Sequence, residues 1–86
     1  MSKLAVCAVR DVKVGAFARP IFVPSRGVAI RQFQDEVSRA ADDNVMFKHP
    51  KDFELYFLGV FDDETGHMAE PEQPELLLRG SVSVSD

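Results

Sequence analysis

Basic and aromatic side chains alternate through the first third of the chain, and this residue pattern has the clearest chemical meaning. Arginine and lysine can hold phosphate groups, while phenylalanine rings can stack on unpaired bases. The pattern is typical of a groove that follows one strand of nucleic acid, and free amides after Ser25 could add a phosphate contact. The alternative is that both rings belong to the core and the arginines only solvate a surface. The candidate nucleic-acid-binding residues are Arg10, Lys13, Phe17, Arg19, Phe22, Arg26 and Arg31.

Other kinds of site have weaker support in the sequence. His49 and His67 are the only histidines, they are not spaced as a metal-binding pair, and Cys7 is the only cysteine. We therefore expect no metal site, no cofactor and no catalytic nucleophile, so an enzyme is not expected. Cys7 stands within an apolar run, which predicts a buried and unreactive thiol. The acids at 62–64 precede Gly66 and are read as turn residues, since the cluster is too short for a calcium loop.

The charge is divided unevenly along the chain. Residues 1–41 hold seven basic and three acidic side chains, for a net +4, whereas residues 42–86 hold three basic and eleven acidic ones, for a net −8. Such a division fits an anion-binding face with an acidic tail. It also fits two halves that attract each other within the fold or across an oligomer.

The length of 86 residues corresponds to one small domain. A core of this size is thin and no disulfide can form within the chain, so self-association as a homodimer or larger homo-oligomer is expected. No apolar run is long enough to span a membrane, and residues 1–3 lead directly into a strand pattern, so no membrane partner is predicted and the protein is expected in a cytoplasm.

The elements that must position the basic and aromatic residues are organised around residues 53–66. Phe53, Leu55, Phe57, Gly59 and Phe61 alternate with Tyr56, Leu58 and Val60, which predicts a central strand with two apolar faces and cover on both. A turn and a hairpin return through 67–69 follow. Residues 3–12 predict a second buried strand that pairs with the first, and residues 21–23 a short edge strand after a loop at 14–20.

One amphipathic helix is predicted over residues 26–41, with its start at Ser25. Residues 42–52 are predicted to be a loop that Met46 and Phe47 tether to the core. The prediction is an α+β fold, a small antiparallel sheet of about four strands with one helix on a face. Residues 1–69 form the domain, and residues 70–86 form an acidic linker and tail that dock either on this core or on a second subunit, with 81–86 mobile or weakly paired.

Four segments together resemble one protein family. They are AVRDVKVGAF at 8–17, RPIF at 19–22, GVAIRQFQDEV at 27–37 and KHPKDFELYFLGVFDDETG at 48–66. In combination they resemble the small non-structural protein, the fifth viral protein, of gokushovirus-type microviruses, which are single-stranded DNA phages. The resemblance implies a non-capsid protein described as DNA-binding, which acts in viral single-stranded DNA synthesis in the cytoplasm of the bacterial host. It also places the contact surface near Arg10, Phe17, Arg19 and Phe22.

Two functions follow as hypotheses. In the first, the protein is a non-enzymatic single-stranded DNA-binding protein of phage genome synthesis or its regulation, with salt-sensitive binding. In the second, it is a homo-oligomeric interaction module that regulates replication or assembly through viral or host replication proteins, without direct DNA binding.

Overall fold

The computed structural model describes residues 3–81, and these form an antiparallel sheet with one principal helix packed on a single face. The predicted α+β class is confirmed. The strands are β1 (Lys3–Asp11), β2 (Ala16–Phe17), β3 (Ile21–Val23), β4 (Phe53–Asp62), β5 (Met68–Ala69) and β6 (Glu75–Arg79). The helices are α1 (Arg26–Ser38) and the short α2 (Val45–Lys48), and a 3-10 turn covers Pro50–Asp52. Residues 82–86 of the predicted tail lie outside the described residues.

The two long strands β1 and β4 pair along their full length and form the middle of the sheet. Both β2 and β3 pair with the outer edge of β1, while β5 and β6 pair with the outer edge of β4. The central position of residues 53–62 and the hairpin return at 68–69 are therefore as predicted. The six strands of the described region exceed the predicted four because β2 lies in the predicted loop and β6 in the predicted tail.

The core lies between α1 and one face of the sheet. Ala29, Phe33 and Val37 of α1 are buried against a group of sheet residues that includes Cys7 and Leu55. These helical positions repeat at four residues, so they form one apolar stripe as predicted. Burial raises the pKa of the Cys7 thiol, which agrees with the prediction of an unreactive cysteine.

The start of α1 is as predicted, whereas its end is earlier than predicted. The Ser25 hydroxyl accepts a hydrogen bond from the Val28 amide at 3.4 Å and caps the first turn. The helix ends at Ser38 instead of residue 41, because the Asn44 side chain donates to the carbonyls of Glu36 and Arg39. These bonds satisfy carbonyls that would otherwise continue the helix. The carboxamide oxygen of Asn44 accepts from the amides of Met46 and Phe47 and starts α2.

Two further corrections concern the predicted loop at 42–52. Part of it is helical, because Asn44 caps α2 and Pro50 begins the 3-10 turn. Met46 packs against the core as predicted, but Phe47 is 40% exposed and does not tether the loop.

The central strand carries an irregularity that changes the predicted faces. Opposite Val6 and Cys7 the register of β4 shifts by one residue at Leu58. A one-residue shift moves every later side chain to the other face. Val60 therefore packs toward the core, and Phe61 lies on the opposite face from Phe57. The uninterrupted alternation had predicted Phe61 on the same face as Phe57 and Val60 on the other.

The segment at 76–78 docks on the sheet of its own domain. Leu78 pairs with Leu55, Leu76 pairs with Tyr56, and the intervening Leu77 is accommodated by a second register shift. Leu77 and Leu78 are packed against the core. The chain then turns at Gly80, whose amide donates to the Phe53 carbonyl at 2.8 Å.

Candidate nucleic-acid interface

The face of the sheet opposite α1, here called the helix-free face, has no helix over it within residues 3–81. No helix of the described region therefore supplies the predicted cover on this side. Val6 and Ala8 lie on it and are nevertheless each only 2% exposed. They are buried because large side chains of neighbouring strands lie over them in two aromatic pairs. These are Phe17 with Tyr56 and Phe22 with Phe61.

At one end of the helix-free face, four residues form a row across the sheet. Direct cross-strand pairing places Phe17 beside Arg10, Arg10 beside Glu54, and Glu54 beside Arg79. Directly opposed residues of antiparallel strands share a face, and adjacent strands are about 4.8 Å apart. The row thus presents an aromatic ring and then charges in the order positive, negative, positive.

The contacts within this row are specific. The Arg10 guanidinium carbon lies 5.7 Å from the centre of the Phe17 ring, within the range of a cation–π interaction. Phe17 and Tyr56 meet edge to face, with ring centres 5.3 Å apart. Phe17 is 43% exposed, so this ring remains open to solvent despite both contacts. Within residues 3–81, the buried Nε of Arg10 has no hydrogen-bond partner.

Glu54 is the electrostatic centre of the row. Its carboxylate accepts from Arg79 Nε at 2.9 Å and from the Tyr56 hydroxyl at 2.8 Å. The Arg79 hydrogen bond, followed by that of Tyr56, holds the pKa of Glu54 below its ordinary value of 4.5. The same carboxylate raises the pKa of Tyr56 above 10.0, because the hydroxyl donates to it. Glu54 is thus ionised at neutral pH, and with two arginines the row keeps a net positive charge.

The other end of the helix-free face is apolar. Phe22 and Phe61 meet edge to face at 5.5 Å, and Met68 pairs with Phe61 from β5. Phe22 is 51% exposed and Met68 is 53% exposed. The acidic turn at 62–66 closes this end of the sheet, so the two ends of the face differ in charge.

The structure brings some of the seven predicted binding residues together and separates others. Arg10, Phe17 and Phe22 lie on the helix-free face. Lys13 lies in the turn between β1 and β2, and Arg19 lies in the link between β2 and β3, so both are exposed along the same edge of the sheet. Arg26 and Arg31 belong to α1, on the far side of the sheet.

Arg26 has a structural contact that the sequence does not suggest. Its guanidinium carbon lies 3.9 Å from the centre of the Phe57 ring, and its Nη2 lies 3.4 Å from the Glu75 carboxylate. Arg26 therefore connects the first turn of α1 to β6. An ion pair about half exposed on each side contributes at most about 1 kcal/mol, and a cation–π contact of a half-exposed arginine contributes a similar amount.

Tyr56, Glu54 and Arg79 were absent from the predicted site. Tyr56 had a usable signal, since the alternation in β4 places it on the face opposite Phe57. The same alternation places Glu54 beside Tyr56. The contact of Glu54 with Arg79 had no local signal, because it joins positions 25 residues apart through the pairing of β4 with β6.

The fold and this face together define a two-layer α+β protein whose open sheet surface combines exposed aromatic rings with arginine. The family model described as Phage ORF5 protein matches residues 4–83 of the chain. The chain belongs to the phage ORF5 protein family. The resemblance to the gokushovirus-type protein, predicted from the segments at 8–66, is thereby confirmed.

A curated relative agrees with this assignment. The chain is 31% identical over 61 residues to Protein ORF5 of Chlamydia phage 1. The match covers 69% of this chain and 64% of that relative, so the chain spans less than two thirds of its length. No solved structure matches the chain. None of the helices within residues 3–81 is long and apolar enough to cross a membrane.

Proposed function

We propose that this phage ORF5 protein binds single-stranded DNA through the basic end of the helix-free face and acts, without enzymatic activity, in synthesis of the viral genome or its regulation. The supporting observation is the exposed Phe17 ring beside Arg10 on an open sheet surface. Sheet surfaces with exposed aromatic rings are used by nucleic-acid-binding domains to stack unpaired bases. Arg10 supplies a cation on the face itself, and the exposed Lys13 and Arg19 supply cations along the neighbouring edge.

The chemistry favours a single strand over a duplex. A base can stack on Phe17 only when it is unpaired or displaced from its neighbours, since paired bases present only their edges. Phosphates then lie toward the edge that carries Lys13 and Arg19, away from the acidic turn at 62–66. Arg26 and Arg31 have no part in this surface because α1 lies behind the sheet.

A gel-shift or anisotropy titration with a labelled single strand tests the proposal. Phe17→Ala should weaken binding about tenfold, because stacking on one aromatic ring contributes about 1–3 kcal/mol. Phe47→Ala is the matched control, since Phe47 is comparably exposed but lies on α2 at the helical side. The absence of binding at micromolar protein in low salt would refute the proposal.

A second pair of variants tests the cations. Arg19→Glu should weaken binding strongly, whereas Arg31→Glu makes the same charge change on the outside of α1 and should have a small effect. Equal losses for the two variants would indicate only general electrostatic attraction and would contradict a defined surface.

The second candidate function is a homo-oligomeric module whose partner is a second copy of the chain, with viral or host replication proteins as further partners. It is favoured by the exposed Phe22 and Met68 at the acidic end of the helix-free face. A two-fold arrangement of two faces would set the acidic end of each copy against the basic end of the other. Light scattering with and without oligonucleotide separates the candidates. This second function is supported if the protein is a dimer that Phe22→Asp dissociates and whose measured mass does not change when oligonucleotide is added.

A further inference from the structure

An open cleft, here called the cavity, lies beside Tyr56 on the helix-free face, next to the proposed stacking site. It has a volume of about 540 Å³ and is lined by Tyr56 and residues 71–76. Tyr56 is also the ring that meets Phe17 edge to face at 5.3 Å. The cavity therefore begins where the exposed aromatic surface ends, so that consecutive bases of one strand could occupy both places.

We infer that this cavity holds one unpaired base and selects bases with an exocyclic amino group, cytosine, adenine or guanine, over thymine or uracil. The inference rests on the proposed function and assigns a base preference to the same face. Apolar walls come from Tyr56, Leu76 and two prolines, Pro71 and Pro74. Flat apolar walls with a few polar groups are the usual composition of a small-ligand site.

The charge of the cavity determines which part of a nucleotide can enter. Glu72 and Glu75 line it, but Glu75 pairs across the sheet with Phe57 and its carboxylate contacts Arg26 on the α1 side. Glu72 therefore supplies the carboxylate that repels a phosphate. The sugar–phosphate backbone therefore stays outside, on the side of Arg10, and only the base points inward. Glu75 is already bound to Arg26 at 3.4 Å, whereas Glu72 has no ion pair within residues 3–81. Glu72 and its neighbour Gln73 are thus the groups available to a base.

These two side chains favour amino groups. A carboxylate only accepts hydrogen bonds, and the N4 amino group of cytosine and the N6 amino group of adenine donate them. Thymine and uracil present carbonyl oxygens at O2 and O4, and these flank their N3–H donor. A carboxylate that approaches N3–H is therefore repelled from both sides. The carboxamide oxygen of Gln73 can accept the second amino hydrogen.

Two oligonucleotides that differ only in the base edge test this inference. Oligodeoxycytidine and oligodeoxyuridine of about 12 nucleotides, a length within the usual range for one binding domain, are titrated by fluorescence anisotropy at low salt. The cytosine strand should bind about fivefold or more tightly, because a well-placed hydrogen-bonded pair of this kind discriminates bases by roughly tenfold. Glu72→Gln should reduce the ratio to below about twofold, since a carboxamide can donate to the uracil oxygen.

Glu64→Gln is the matched control. It removes the same charge from the exposed turn at the other end of the sheet, so it should strengthen binding of both strands alike and leave their ratio unchanged. Equal affinities, or tighter binding of the uridine strand, would overturn the base preference while DNA binding itself stands. A preference that persists in Glu72→Gln would overturn the role of the cavity. Failure of both strands to bind would overturn the proposed function together with this inference.

Discussion

Glu54 accepts hydrogen bonds from two neighbours on the helix-free face, Arg79 and Tyr56, and its ionisation should be visible in the stability of the protein. Its folded pKa is lowered by the hydrogen bonds from Arg79 and Tyr56. A group with a lowered folded pKa stabilises the fold fully above its unfolded value, and the contribution is lost as the pH falls through the folded value. Glu54 therefore loses its stabilising contribution over the acid pH range that begins near its ordinary pKa of 4.5 and extends below it.

Glu54→Gln should lower the free energy of unfolding by about 1–2 kcal/mol at neutral pH, because hydrogen bonds to a charged group are weakened. The difference between wild type and variant should shrink as the pH is lowered below about 4.5, the ordinary value, because wild-type Glu54 itself becomes protonated. Urea denaturation at several pH values measures this. Glu70→Gln, an exposed acid of the linker, serves as control and should show no such convergence.

Substitution by alanine should change the free energy of unfolding in opposite directions at two glycines, Gly80 and Gly27. A Cβ at Gly80 would lie 2.1 Å from the Pro50 carbonyl oxygen, and backbone atoms cannot move aside as a side chain would. Gly80→Ala should therefore cost more than about 2 kcal/mol. At Gly27, in the first turn of α1, the nearest atom is the Ser25 hydroxyl at 3.7 Å, so Gly27→Ala should stabilise by about 0.5–1 kcal/mol. Urea unfolding midpoints that shift the same way would contradict this account.

At the scale of elements, Asn44 connects two helices through both ends of one carboxamide. Its nitrogen donates to α1 carbonyls and its oxygen accepts from α2 amides, and the residue is 4% exposed. Asn44→Ala should cost about 1–3 kcal/mol, since it leaves buried backbone groups without partners.

Asn44→Asp separates the two roles. It keeps the oxygen that caps α2 but replaces the donor with a second acceptor beside the C-terminal carbonyls of α1, where a negative charge is unfavourable. It should therefore be no more stable than Asn44→Ala despite its better cap. Thermal unfolding monitored by circular dichroism compares them, with the exposed Asp43→Ala as control. A nearly wild-type Asn44→Asp would show that only the α2 cap matters.

The elements predicted correctly were those that depend on local periodicity. The stripe Ala29, Phe33 and Val37, the Ser25 cap and the strand at 53–62 follow from neighbours within a few residues. The errors arise where distant pairing decides. The register shift at Leu58 is seen in the pairing of β4 with β1, and Leu76 joins the sheet because β4 offers it an unpaired edge. Neither is visible in a local pattern.

The candidate site was also predicted only in part, because some of its residues are close in sequence and others are brought together by the packing of distant elements. Arg10, Phe17 and Phe22 are near one another in sequence. Phe17 pairs with Arg10 and Phe22 pairs with Val6, and these β1 positions are an even number of residues apart, so all share a face. Arg26 and Arg31 carry the same side chain as Arg10 but belong to α1. Only the packing of α1 behind the sheet separates them from the residues of the helix-free face. Charge and spacing alone do not distinguish a residue on the sheet from one on the helix.

For the whole molecule, the separation of charges predicts how DNA binding should depend on salt. The net charge is −4, so a polyanion is repelled overall and attracted at the end of the sheet that carries Arg10, Lys13 and Arg19. Three phosphate contacts on a single strand give a slope of about −2 in log affinity against log salt, which is about a twentyfold loss between about 50 and 200 mM salt.

The slope also tests which cations take part. If all seven basic residues of positions 1–41 contacted phosphates, the slope would be about −5. Arg19→Gln should reduce the measured slope by about 0.7, whereas Arg31→Gln should leave it unchanged, since each single-strand contact contributes that amount. Anisotropy titrations at four or more salt concentrations give these slopes. A slope near −5, or one that Arg31→Gln reduces, would mean that the strand wraps around α1 and that the helix-free face is not the principal surface.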